Sequence, residues 1–471
     1  MATLANDPRT TIAAIATAAG AGAIAVVRVS GPEAILISEK GFRPFQAIGS
    51  ALSHTAHVGE FADNSGVVID EVVATVFRAP RSYTGENVVE LSCHGSSLIA
   101  HKILDALVAF GARIAEPGEF TKRAFLNGKI DLAQAEAVAD LIGARSEMAR
   151  RASLDQLSGN LSKQIHKLRE SLVSLVGLLE LELDFVEEGI ELVKGKTAEE
   201  QIAGTISTID SLIRSYGAGR YVREGVRVVL AGSPNVGKSS ILNALLEEDR
   251  AIVTDVPGTT RDVIEESISI DGLHFVLSDT AGVRSTVDIV ERHGVDRTER
   301  KIRNSDILLL VVDGSREIGE HELQSIDKVL REVKGASSEC IVVLNKADLG
   351  ESSTQNGKFR QILDTFPNLR ISAKTGSGLD RLRQALIRAT HAGNMEASES
   401  GLLVSSLRHK DALVGAKACL KRALESAASS ESSEFIVIDL RAALDKLGEI
   451  IGLTTTEDIL NSIFSKFCIG K

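Results

Sequence analysis

Eight residues dictate more of this chain's architecture than any other stretch: Gly232-Ser-Pro-Asn-Val-Gly237-Lys238-Ser239, a G-x-x-x-x-G-K-S sequence. They follow an apolar, β-branched run, Val226 to Ala231, and precede a helical pattern opening near Ser239. The glycines let the backbone curl so that its N–H groups point inward, and the N-terminus of the next helix adds a partial positive charge. The loop is therefore built to cradle phosphate. Lys238 is expected to reach the β- and γ-phosphates of a nucleotide, and the Ser239 hydroxyl to ligate magnesium. Asn235, Val236, Gly237, Lys238, Ser239 and Ser240 are the candidate binding residues of this element. Apolar strands alternate with helical patterns around it, at His274 to Leu277, Ile307 to Val312 and Cys340 to Leu344, which predicts a parallel α/β sheet.

Four further elements follow in chain order. In Gly258-Thr259-Thr260-Arg261-Asp262 a threonine hydroxyl can complete a magnesium shell only while a γ-phosphate is present, which makes a switch. Asp279-Thr280-Ala281-Gly282 places Asp279 to hold magnesium through water and the Gly282 N–H to meet the γ-phosphate. In Asn345-Lys346-Ala347-Asp348, the Asp348 carboxylate can accept from guanine N1–H and N2–H. Adenine offers an acceptor at that edge and would leave the carboxylate unpaired. Ser372-Ala373-Lys374 then backs the base with main-chain N–H groups. Together these residues predict a GTP site rather than an ATP site.

Hydrolysis needs a group that orients water. After Asp-Thr-Ala-Gly, where a Ras-type switch carries Gln, this chain has Val283. Glu291 and Arg284 are the candidates, each also readable as a solvated surface charge. Asn235 has two readings as well: a turn asparagine, or an amide oxygen that ligates a monovalent cation beside the phosphates. Such a cation would neutralise the charge that an arginine finger otherwise meets.

The chain has 471 residues, enough for roughly three domains. With 44% apolar and 25% charged residues it can bury several cores, which excludes global disorder. Its formal charge of -11 has the wrong sign for coating nucleic acid, so any RNA contact must be local. Cys93, Cys340, Cys419 and Cys468 have no zinc-ligand spacing and fit free thiols in a reducing, cytoplasmic setting. The run Ile12 to Val27 imitates a signal-peptide core, but Gly20 and Gly22 and the offset of Arg9 by Asp7 favour strand, glycine turn, strand. No apolar run has the length of a membrane span.

Short β-branched runs (Ala25 to Val29, Val67 to Ile69, Glu71 to Phe77, Val88 to Leu91) and one helical stretch, Leu98 to Phe110, predict an α+β domain over residues 1–130. From 131 to 225 the pattern is helical: Leu161, Ile165, Leu168, Leu172, Leu175 and Leu179 form one stripe, read as a bundle core in preference to a dimer seam. The α/β segment covers 226–390. Helical patterning returns over 391–471, in Leu407 to Leu424 and Leu440 to Ile451, with the polar stretch Ser426 to Glu434 between them read as a loop. The predicted fold is thus multidomain α/β and α, with a Ras-like nucleotide domain inserted into a discontinuous helical domain.

The nucleotide segment resembles the translation-factor-related branch of P-loop GTPases, and the flanks narrow this. Val27-Arg28-Val29-Ser30-Gly31, Tyr83-Thr84-Gly85-Glu86 with Glu90-Leu-Ser-Cys-His94-Gly95, and the run from Pro117-Gly118-Glu119-Phe120 through Asn127-Gly-Lys129-Ile-Asp131-Leu-Ala-Gln134-Ala-Glu136 are similar to the tRNA-modification GTPase family MnmE/TrmE. So is the terminus, Phe464-Ser-Lys-Phe467-Cys468-Ile469-Gly470-Lys471. The resemblance covers essentially the whole chain. It implies an N-terminal domain that dimerises and binds a tetrahydrofolate one-carbon donor, such as the 5,10-methylene or 5-formyl form. It also implies GTP, Mg2+ and K+ as ligands, and joint action with the FAD protein MnmG (GidA). The product implied is an aminomethyl or carboxymethylaminomethyl group at carbon 5 of the wobble uridine in certain tRNAs.

Carried over motif by motif, Arg28, Glu90, Lys129 and Lys471 match the family's folate-contacting positions. A glutamate tail suits Arg and Lys, and the N–H edge of a pterin suits a carboxylate; without the family each reads as a surface ion pair. Asn235 matches a potassium-binding asparagine, and the switch loop Thr254, Asp255, Val256, Pro257, Gly258 and Thr259 supplies further oxygens from Thr254, Val256 and Thr259. Thr260 matches the magnesium threonine, Thr280 and Ala281 the second switch, and Glu291 the glutamate that orients water through an intermediate water. Potassium then replaces the finger when two G domains meet. Ser233-Pro234 departs from the basic residue many members carry there.

Cys468 has two readings, a structural thiol or a participant in the modification chemistry. Cys-Ile-Gly-Lys superficially resembles a prenylation box, against which Gly470 and Lys471 argue. Cys93 and His94 are neighbours on a strand, face opposite ways and receive no catalytic role. Two rival functions remain. A ribosome-assembly factor lacks support from any KH-type Gly-x-x-Gly loop in a basic segment. A stand-alone folate aminomethyltransferase would need no FAD partner.

Overall fold

The computed structural model describes residues 10–44, 47–184, 195–249, 265–279, 302–334, 338–350, 357–390, 402–429 and 432–471. It divides into two compact units: Met1–Ile142 with Asp155–Gly177 and Arg441–Lys471, and Gly143–Leu154 with Leu178–Leu440.

The first unit is built on a seven-stranded sheet: β1 Ile12–Ile15, β2 Ile24–Ser30, β3 Phe42–Pro44, β4 Thr55–Ala62, β5 Val68–Phe77, β6 Val88–His94 and β7 Arg113–Ile114, ordered β3-β4-β5-β6-β2-β1-β7. Neighbours are antiparallel except β1 and β7. The turn between β1 and β2 contains Gly20 at φ +130°, so the expected strand, glycine turn and strand are present. Alternation sorts the faces. Val27, Val29, Val89 and Leu91 pack with Ile103 and Leu107 of the helix Ser97–Ala109, while Arg28 and Glu90 point the other way. Cys93 is 4% exposed and His94 is exposed, as opposite faces require.

Beyond β1 the second face is covered by the helix Glu119–Leu126, through Ile12, Ala14, Ala115 and Phe120. A further cluster, Leu132, Ala135, Leu460, Phe464 and Phe467, ties the helix Leu132–Gly143 to the terminal helix Glu457–Phe464. The runs at Val67 and Glu71 are one continuous strand, β5, and its hairpin partner β4 was not expected at all.

The second unit contains a six-stranded sheet: β8 Val226–Ala231, β9 Glu265–Ile270, β10 Leu273–Asp279, β11 Ile307–Asp313, β12 Glu339–Asn345 and β13 Asn368–Arg370, ordered β13-β12-β11-β8-β10-β9. Five strands are parallel and covered on both faces, with Leu309, Val311 and Val343 in one core and Leu308, Leu310 and Val342 in the other. β9 departs from the expected parallel arrangement by pairing antiparallel with β10. Its turn is Asp271-Gly272, both at positive φ (+49° and +79°), the conformation that closes a two-residue hairpin.

The helices Gly195–Glu224 and Leu407–Ala428 pack together, with Lys417 bonded to Asp210 and the Lys410 ammonium 4.7 Å from the Tyr216 ring. The predicted loop Ser426 to Glu434 is shorter, because Ala427 and Ala428 continue the first helix and the next opens at Ser433. Every member of the leucine stripe is buried within the chain, on the helix Asn160–Asp184, so it serves as core. Among the described residues no helix is long and apolar enough to cross a membrane.

Candidate functional site

In the second unit β8 runs directly into the loop and the helix Lys238–Asp249. Gly232, at φ +148°, has no room for a side chain: a Cβ there would stand 2.1 Å from the Val311 carbonyl oxygen. Gly237, at φ +96°, is crowded in the same way by the Asn345 amide, at 2.2 Å. Asn235 adopts φ +63°, a conformation asparagine tolerates and most residues avoid, and its side chain is exposed. Lys238 is only 6% exposed and donates to the Gly232 and Ser233 carbonyls at 2.8 and 2.9 Å. Burial pulls its ammonium below the ordinary lysine range, with the Asp279 charge opposing.

Asp279 ends β10, whose register with β8 pairs it with Leu230. Its Oδ2 accepts from the Ser239 hydroxyl at 3.2 Å, so a hydroxyl and a carboxylate converge beside the loop as a hydrated magnesium ion requires. The switch residues Thr254, Asp255, Val256, Pro257, Gly258, Thr259 and Thr260, with Thr280, Ala281, Gly282, Arg284 and Glu291, lie outside the described residues.

The elements expected to read the base stand at the C-terminal ends of the parallel strands, where open α/β sheets bind ligands. Asn345 is 2% exposed; its amide nitrogen donates to the Val236 carbonyl at 2.9 Å and its amide oxygen accepts from Ala373 N–H at 3.1 Å. It thereby fastens the phosphate loop to the Ser372-Ala373-Lys374 segment. Asp348 accepts from the Ser372 hydroxyl at 2.6 Å, which holds its carboxyl below the usual range. Lys346 donates to Asp313 at 2.7 Å, a partner the sequence reading did not name.

The first unit assembles a second constellation. β2 and β6 place Arg28 opposite Glu90, and the Arg28 Nε and Nη2 both lie 2.8 Å from Glu90 Oε1. The pair is largely sheltered, with side chains 15% and 28% exposed. Two rings flank the guanidinium, Tyr83 at 5.3 Å and Phe120 at 5.6 Å. Tyr83 shares a 2.8 Å hydrogen bond with Thr121, and burial raises its phenol's pKa. The Arg28 Nη1 donates to the Gly470 carbonyl at 3.4 Å, which brings the tail carrying Cys468 and Lys471 to β2. Cys468 is exposed and unbridged.

The Lys129 ammonium donates to the Pro80 carbonyl at 3.1 Å. Beneath lies a buried ionic chain that the sequence reading treated only as motif. Arg123, 4% exposed, donates to both Glu86 oxygens at 3.2 Å and to Glu119 at 2.9 Å. Glu119 also accepts from Arg113 at 2.6 Å, and Glu86 from the Ser30 hydroxyl at 2.7 Å. Burial alone would raise the Glu119 pKa, but the two arginines and the Glu116 N–H hold it below the usual range.

The family described as GTP-binding protein TrmE N-terminus matches residues 11–129, and the MnmE helical domain matches residues 132–468. Among solved structures, the G domain of the T. maritima FeoB iron transporter is 26% identical, covering 35% of this chain and 98% of its own, at a TM-score of 0.26. The tRNA modification GTPase MnmE of Syntrophotalea carbinolica is 44% identical over 98% of this chain and 99% of its own length. The proteins of that name from Aquifex aeolicus and Salinibacter ruber are each also 44% identical over 98% of this chain, and over 100% and 99% of their own. The chain therefore belongs to the MnmE family of tRNA modification GTPases.

Proposed function

We propose that this protein hydrolyses GTP in a potassium-dependent manner as one subunit of a tRNA-modifying complex. With an FAD protein of the MnmG (GidA) type it adds an aminomethyl or carboxymethylaminomethyl group to carbon 5 of the wobble uridine. The observation that carries the reading is the coexistence, in one chain, of a phosphate loop joined to a guanine-reading edge and an Arg28–Glu90 pair joined to the C-terminal tail.

The donor sets suit the ligands. Lys238 and the loop N–H groups take the phosphates, Asp348 and Ala373 the base, and Ser239, Asp279 and Thr260 the magnesium ion. Asn235, together with Thr254, Val256 and Thr259, is assigned to potassium, and Glu291 to the orientation of water. Arg28, Glu90, Lys129 and Lys471 hold a tetrahydrofolate, which when bound supplies the one-carbon unit. Arg28 and the lysines suit its carboxylates, Glu90 its pterin N–H edge, and the Tyr83 and Phe120 rings give a flat molecule apolar surface. Cys468 is assigned to the modification chemistry.

The segments are 1–130 for folate binding and dimerisation, 131–225 and 391–471 for the helical domain, and 226–390 for the G domain. A homodimer through the first is supported by Val58 and Val73, which sit opposite each other on β4 and β5 and are 55% and 37% exposed among the described residues. The cytoplasm is the compartment that supplies these ligands and the tRNA.

The test is reconstitution: the purified chain with tRNA, GTP, potassium, methylene-tetrahydrofolate, ammonium or glycine, and the FAD protein. Modified uridine is expected only in the complete mixture. Modification without the FAD protein would favour a stand-alone transferase, and none in the complete mixture, with GTP-dependent ribosome binding instead, would favour an assembly factor.

A further inference from the structure

The C-terminal ends of β11 and β12 lie side by side, with Asp313 paired in register with Asn345 and the Gly314 N–H donating to the Asn345 carbonyl at 2.9 Å. Asp313 is a buried carboxylate, 6% exposed, and it divides its oxygens between two jobs. Oδ1 accepts from the Ser315 N–H and hydroxyl at 3.1 and 2.6 Å, which closes the turn after β11. Oδ2 accepts from the Lys346 ammonium at 2.7 Å, with Arg316 more distant at 3.6 Å.

Lys346 is itself unusual. It adopts φ +65°, a left-handed conformation that residues other than glycine and asparagine rarely take. It also caps the short turn Ala347–Leu349, which carries Asp348. Residue 345 is anchored through its side chain to Val236 and Ala373, and the Ala347 N–H donates to the Ile371 carbonyl at 3.0 Å, so Lys346 is the residue that joins these two anchors. Charge and hydrogen bond together hold that side chain over β11.

We propose that Asp313 is a positioning residue for guanine recognition: by tethering the Lys346 ammonium it fixes the strained residue from which Asp348 is presented to the base. The carboxylate does not touch the nucleotide. The assignment rests on the reading that Asp348 takes the guanine edge.

The two-oxygen division gives the experiment its contrast. Asp313→Asn can keep an oxygen for Ser315 while losing the charge and the acceptor facing Lys346. It is expected to raise the dissociation constant for a fluorescent GDP and the KM for GTP about tenfold, with kcat at saturating GTP within about twofold of wild type. Ser315→Ala, which disturbs only the turn, is expected to leave GDP affinity unchanged. In a double-mutant cycle with Lys346→Met, the second substitution is expected to cost nothing further.

A second pair of variants leaves the buried carboxylate alone, in case Asp313→Asn fails to fold. Lys346→Arg, which retains the ion pair, should stay within about threefold of wild type, and Lys346→Met should lose about tenfold. Wild-type GDP affinity in Asp313→Asn, additive losses in the cycle, or equal losses in the two Lys346 variants would overturn the proposal. Absence of GDP binding by wild-type protein would instead overturn the guanine reading beneath it.

Discussion

Arg28 and Gly470, 442 positions apart in the chain, meet through a hydrogen bond from guanidinium to carbonyl at 3.4 Å. The contact brings the C-terminal tail to the strand that carries the Arg28–Glu90 pair, so the folate residues proposed at the two ends of the sequence lie on neighbouring segments of one unit. The same relationship makes the site open to tests that leave the nucleotide domain alone.

Arg28→Ala and Glu90→Gln each remove one side of a sheltered, charge-assisted pair. Each is expected to weaken binding of 5-formyl-tetrahydrofolate by at least about tenfold, measured by titration calorimetry. Basal GTP turnover in the same preparations should match wild type.

Gly470 has φ +93°, and a Cβ there would stand 2.3 Å from the Ile15 carbonyl oxygen, a backbone atom that cannot swing aside. Gly470→Ala is therefore expected to lift the tail from β1. Folate affinity should fall while the melting temperature drops by no more than a few degrees, since Phe464 and Phe467 keep the preceding helix anchored in its own cluster.

Asn345→Ala leaves the Val236 carbonyl and the Ala373 N–H without their partner in a buried setting. Urea unfolding without nucleotide should show a loss of about 1–3 kcal/mol, and nucleotide affinity should fall with it.

His274 is 5% exposed, and neither ring nitrogen has a hydrogen-bond partner among the described residues. Burial, and then the positive charge of Arg145, hold its pKa below the ordinary 6.5. Above 6.5 the ring is neutral in folded and unfolded chains alike and its contribution is fully present. As pH falls through that value the unfolded chain takes up a proton that the folded chain refuses, and stability is lost. His274→Phe should flatten this acid-side slope in denaturant midpoints measured across pH.

Asn235→Ala tests the cation. GTP turnover by wild type is expected to be faster in potassium than in sodium at matched ionic strength, and the variant should lose the difference. Equal wild-type rates in both salts would remove potassium from the account.

What could be read from the sequence was what is local in it. The phosphate loop, the Asn345-to-Asp348 element and Ser372-Ala373-Lys374 each announce their chemistry within a few residues, and the leucine stripe announces a helix by its period. β4 escaped because Thr-Ala-His-Val-Gly-Glu-Phe-Ala places a glycine and one large apolar side chain on its core face, too little for an alternating signal. Asp271-Gly272 is itself a hairpin signal, and it closes β9 on β10. The Glu86–Arg123–Glu119 chain and the Asp313–Lys346 pair were illegible for another reason. A charged residue reads as solvated until the fold buries it beside a partner 37 or 33 positions away.

The central claim is that this chain's nucleotide switch and terminal thiol both serve a wobble-uridine modification. The direct measurement is mass spectrometry of wobble nucleosides in bulk tRNA from cells lacking the gene, rescued with wild type, Asp279→Ala or Cys468→Ser. The account predicts that the modified uridine disappears on deletion and returns only with the wild-type chain. Survival of the modification in the deletion strain, where no redundant pathway exists, would contradict it.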